Sequence, residues 1–174
     1  MFTKADIEKY FNAEKSESGL FISIGLAGII LAIIFFIFLK TEFYKGAAIP
    51  LAVIGLLLGI VGFTVYNRSD ADRKRNVYAY DMNPSELYEK EIPRMKTVMK
   101  SFIIYRWIEI FLAVSGLVLY IYFIRDVRHD FWRGLGLGLA VMAILALAAD
   151  YFAEKRGAVY LKGIESLTSN KSRT

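Results

Sequence analysis

A chain of 174 residues that is 56% hydrophobic and 15% aromatic, with a mean hydropathy of +0.40, is greasier than a soluble domain of its size, and its apolar residues fall in blocks. It has no Cys and a single His, His129, which excludes a disulfide framework and a Cys-ligated metal and gives no reason to expect a metal or cofactor. The net charge of +5 does not point to nucleic acid, because the basic residues flank the apolar blocks as topology signals do.

Residues 1–18 are polar and weakly amphipathic. Thr3 and Asp6 have the spacing of a capping box, and Phe2, Ile7, Tyr10 and Phe11 would share one face of a short helix lying at a membrane surface. The first hairpin occupies 19–67. Gly19 to Leu39 carries no charge, and about 20 such residues cross a hydrocarbon core. Gly46 to Asn67 is the second apolar run, with Pro50 expected in its first turn.

Residues 68–101 are the one sizeable polar segment inside the chain, read as a basic cytoplasmic loop with a short helix. Asn83-Pro84-Ser85-Glu86 has the form of a helix start, and Pro93 should end or kink that helix. Tyr78, Tyr80 and Tyr88 are candidates for docking a partner there. The second hairpin, 102–153, holds spans near 102–124 and 131–152. The tail, 154–174, begins amphipathic and ends in Ser169–Thr174, expected to be disordered.

The turns within the two hairpins match. Lys40-Thr41-Glu42-Phe43-Tyr44-Lys45-Gly46 and Arg128-His129-Asp130-Phe131-Trp132-Arg133-Gly134 lie 88 residues apart, and at that offset 12 of 49 positions from Leu20 to Arg68 are identical. Apolar flanks could coincide by composition alone, whereas the polar turn could not. The expectation is a tandemly duplicated helical hairpin.

Lys and Arg number 16 in the N-terminal segment, the central loop and the tail, against 5 in the two short turns. That asymmetry predicts four spans with both termini in the cytoplasm. The fold class is therefore an all-α integral membrane protein, a four-transmembrane-helix bundle. The expected location is a bacterial inner (cytoplasmic) membrane. Small residues at helical spacing mark the expected packing stripes: Gly25 and Gly28, then Gly55, Gly59 and Gly62, then Gly116, then Ala143 and Ala146.

Arg106, Glu109 and Asp150 are ionisable residues inside spans, where charge is costly and often functional. Arg106 and Glu109 can pair along one helix face, with Asp150 joining them from the next span. They form either a structural ion pair or a proton- or cation-responsive site. The outer-turn tips Phe43, Tyr44, Lys45, Phe131, Trp132 and Arg133 suit the headgroup level, or recognition by a paired tip. His129 beside Asp130 is a weak candidate for pH sensing.

No metalloprotease, hydrolase-elbow, Walker or dinucleotide motif is present, so an enzyme is not expected. The architecture resembles the small four-span immunity proteins that guard a bacterial inner membrane against pore-forming toxins. The leading expectation is a non-catalytic immunity, accessory or assembly subunit that binds a membrane-protein partner, or its own copies, within the lipid bilayer. The alternative is an oligomeric transporter or channel subunit using Glu109 and Asp150.

Overall fold

The computed structural model describes residues 2–171, with side chains to 167. Four long helices dominate it: α1 (Lys4–Ile34, extended by a π-turn over Phe35–Leu39), α2 (Glu42–Met82), α4 (Ile92–Tyr122) and α5 (Asp130–Lys171). A single turn, α3 (Pro84–Glu86), and a second π-turn at Leu87–Glu91 link α2 to α4. Each long helix is apolar enough over 18 residues to cross a membrane.

Length decides what the rest of each helix does. At about 1.5 Å per residue, a 41-residue helix such as α2 is about 60 Å long, roughly twice a hydrocarbon core. The molecule accordingly has two halves: an apolar half beside the two similar turns, and a polar half at the other end.

Packing inverts between these halves. In the apolar half large side chains point outward, among them Phe63, Trp107, Phe111 and Val118, while Ala32, Ala48, Ala113, Ala140 and Ala143 are buried. In the polar half Ile7, Tyr10, Phe11, Ile92, Met95, Tyr160 and Ile164 form an interior cluster, with Phe2, Val77, Tyr80 and Tyr88 against it. A bundle in water hides its large apolar groups and one in hydrocarbon has no need to.

α1 packs on α2, α2 on α5 and α5 on α4. Burial follows that row: 28% and 33% of the apolar windows of α2 and α5 are buried, against 17% and 11% for α1 and α4. The helices at the edges of the row are therefore the bare ones.

Several expectations from the sequence change here. Residues 4–18 do not form a separate surface helix. They continue α1, with no Pro to break it, and Ile7, Tyr10 and Phe11 face the bundle interior. Thr3 does open the helix, donating from its backbone N and its hydroxyl to Asp6 Oδ2, both at 2.8 Å. Residues 68–82 are the end of α2 and not a loop.

Pro50 lies two turns inside α2, because that helix begins at Glu42, so it frees the Gly46 carbonyl from its usual partner. Asn83 caps α3 without a side-chain bond to the helix backbone, its Oδ1 accepting instead from Ser85 Oγ at 2.6 Å. Pro93 sits at the start of α4, directly after the π-turn. α5 remains helical to Lys171; the rest of the end expected to be disordered lies outside the described residues.

Candidate functional site

The ionisable residues of the apolar half meet on the α4–α5 seam. Arg106 does not pair with Glu109 one turn along its own helix; its guanidinium donates to Glu154, on α5. Glu109 lies within electrostatic reach of Asp150, and its Oε2 is buried without a hydrogen-bond partner. The seam thus splits into a closed ion pair and an open carboxylate pair. Glu154 was not picked out in sequence because it stands just past the apolar run, one turn after Asp150.

The two matching turns pack against each other. A Cβ on Gly46 would overlap the carbonyl oxygen of Phe131, and one on Gly134 would overlap that of Phe43. At the 88-residue offset these two contacts are each other's counterpart. Arg133 spans the junction, its guanidinium 5.1 Å from the centroid of the Phe43 ring. Lys45 pairs with Glu42 at 2.7 Å and Arg133 with Asp130 at 3.2 Å. Tyr44 rests on Phe35, with ring centroids 4.9 Å apart. Trp132 is exposed, as is His129, whose Nδ1 lies 2.8 Å from Asp126 and not against Asp130.

The small residues serve particular interfaces. A Cβ on Gly25 would come 2.7 Å from the Gly59 nitrogen, one on Gly55 2.9 Å from the Gly25 oxygen, and one on Gly62 2.8 Å from the Ser18 oxygen. Gly28 lies against the Leu51 carbonyl across the same α1–α2 interface. Gly116 packs against Gly136 and Ala140 between α4 and α5. Ala143 and Ala146 are buried. Gly59 differs: its own Cβ position faces open space, and it contributes bare backbone.

A polar constellation in the other half was missed in sequence. Glu14, Ser69, Asp72, Asn76 and Glu91 are all buried. Glu14 accepts from Ser69 Oγ at 2.9 Å and Tyr10 OH at 3.3 Å. Glu91 accepts from Arg94 Nε and Nη2 at 2.8 and 2.6 Å, and from Tyr160 OH at 3.2 Å. Arg75 bridges the two sides, 2.9 Å from Asp72 and 3.8 Å from Glu91, and Arg68 sits between Glu14 and Asp72.

Tyr10 and Tyr160 stack at the centre, with centroids 4.0 Å apart and planes within 8°. Burial pushes both phenols above their ordinary value; Glu14 adds to the effect at Tyr10, and Glu91 at Tyr160. At Arg94, desolvation opposes the charge, but the Glu91 hydrogen bond and charge outweigh it. Buried charges survive only when paired and hydrogen-bonded in this way. The arrangement locks four helices in one register. The only signal in sequence was Glu14 and Glu91 at the interior spacing of otherwise apolar faces.

Of the three candidate docking tyrosines, Tyr80 and Tyr88 pack on the interior cluster, and Tyr78 is exposed. Comparison with protein-family models, with curated proteins and with solved structures finds no match.

Proposed function

We propose that the chain is a non-catalytic protein of the bilayer that binds a membrane-protein partner. In this reading the apolar half is embedded, the two turns face outward, and the polar half and both termini lie in the cytoplasm, as the 16-to-5 distribution of Lys and Arg favours. The matching turns and their reciprocal glycine contacts support descent from a duplicated hairpin.

The observation that carries the binding reading is the closeness of the helices. Glycines bring backbone against backbone at α1–α2, α2–α5 and α4–α5, which leaves no room for a lumen at those interfaces. With α1 and α4 bare at the edges of the row, recognition falls to those flanks. Trp107 and Phe111 on α4 are 68% and 69% exposed and supply the large side chains that anchor contacts. An immunity, accessory or assembly subunit works in this way.

A second reading, an oligomeric transporter or channel subunit, draws on the unpartnered Glu109 oxygen beside Asp150. Weighing the intact complex from native membranes in mild detergent separates the two. A second polypeptide at fixed stoichiometry, lost on W107A/F111A, supports binding. A pure homo-oligomer whose vesicle flux is abolished by Glu109→Gln supports transport and overturns the first reading.

A further inference from the structure

The polar ends of α1 and α5 enclose a groove of about 360 Å³. Phe152, Lys155, Arg156 and Val159 line it from α5, and Asp6, Lys9 and Tyr10 from α1. The spacing on α5 is i, i+3, i+4 and i+7, a single helix face.

Its charges are unevenly committed. The Asp6 carboxylate is occupied by Thr3. Arg156 pairs with Glu17 and lies 5.7 Å from the centroid of the Tyr10 ring, while its Nε has no hydrogen-bond partner. Lys9 and Lys155 are exposed and make no ion pair among the described residues. The groove therefore offers the exposed ammonium groups of Lys9 and Lys155 to an anion, with Lys9 also facing the Asp6 charge and the Arg156 guanidinium adding positive charge in the groove wall.

Position identifies the source of that anion. Phe152 is 62% exposed and stands where the apolar run of α5 ends. Lys155 and Arg156 follow it by three and four residues, about 5–6 Å along the axis, which is the depth of the headgroup layer. Below Phe152 the same face continues through the exposed Leu145 and Ala148, a surface for an acyl chain.

We propose that this groove holds the phosphate of an anionic phospholipid, with Lys155, Arg156 and Lys9 around the headgroup and one acyl chain running along Phe152 and Leu145. The proposal rests on the membrane reading above and adds a lipid specificity to it.

The test titrates the full-length chain in detergent with phosphatidylglycerol or phosphatidylcholine and counts retained lipid by native mass spectrometry. Phosphatidylglycerol is expected to be retained preferentially, and K9E/K155E to weaken that retention on the order of tenfold without affecting phosphatidylcholine. Both lysines are exposed and form no ion pair among the described residues, so the variant should melt like the wild type; should it not, loss of the wild-type preference in high salt is the equivalent expected result. Equal retention of the two lipids overturns the proposal, as does an unaltered preference in the folded double variant. Displacement by excess inorganic phosphate would assign the groove to a soluble anion and also overturn it. Carbonate extraction of native membranes distinguishes the failures. A chain released to the supernatant sinks the membrane reading along with this one, and a retained chain without lipid preference sinks only the lipid site.

Discussion

The backbone of Gly134 lies against the carbonyl oxygen of Phe43, and any side chain at 134 would overlap that oxygen. Backbone cannot swing aside as a side-chain tip can, so Gly134→Ala must push α5 away from α2. Overpacking of this kind costs about 1–3 kcal/mol, and Gly46→Ala should cost a similar amount through Phe131. Gly59→Ala is the control, since its Cβ position is open and Ala favours helix over Gly. Thermal unfolding in one detergent should show lower Tm for the first two variants and no loss for the third.

Removing Glu91 should be among the most damaging single changes. It is 2% exposed and takes two hydrogen bonds from Arg94 and one from Tyr160. Glu91→Ala leaves the part-buried Arg94 charge without its hydrogen-bonded carboxylate, a loss of about 3 kcal/mol. Chemical denaturation followed by the Tyr and Trp signal measures it. A loss below that of an average surface substitution would refute the network's role.

The Arg106–Glu154 pair joins α4 to α5 at the edge of the apolar half. Both groups are partly exposed, so each single Ala variant should lose only about 1 kcal/mol. The pairwise nature is tested by reversal: R106E/E154R should recover part of what either reversal alone loses. A double-mutant cycle with no coupling would show the contact to be energetically idle.

Alkaline pH should loosen the polar half. Tyr10 and Tyr160 have their pKa raised in the folded chain by burial and by the neighbouring carboxylates. An unfolded tyrosine ionises near pH ~10, so above that pH the unfolded state holds fewer protons than the folded one. Stability is then full below pH ~10 and falls as pH rises toward the folded values. Tm measured against pH, with tyrosinate absorbance alongside, should show two phenols ionising only on unfolding. Y10F/Y160F should flatten the alkaline decline.

Absence of Cys makes the orientation directly measurable. A single Cys at Thr41 or Arg128, in the turns, should react with an impermeant maleimide added to intact cells. A Cys at Lys74 or Lys96, in the polar half, should react only after lysis. The opposite pattern would reverse the proposed topology.

The four apolar helices were legible in sequence because their signal is local: about 20 predominantly apolar residues need no partner to be recognised. The capping of α1 by Thr3 and Asp6 and the helix start at Asn83-Pro84 were local in the same sense. The matching turns could be aligned from sequence because Phe43 and Gly46 recur as Phe131 and Gly134 at one fixed offset.

Contacts between helices were decided only by the tertiary structure. Arg106 had Glu109 three residues away, yet it pairs with Glu154 across the α4–α5 seam. Residues 1–18 and 68–101 looked like a surface segment and a loop because both are rich in polar residues, among them Glu14, Asp72 and Glu91. Their burial becomes tolerable only when Arg68, Arg75 and Arg94 arrive with hydrogen bonds and opposite charge. Hydropathy is a property of a segment and reads along one helix; the pairing of buried charges is a property of four helices at once, and no single one of them carries it.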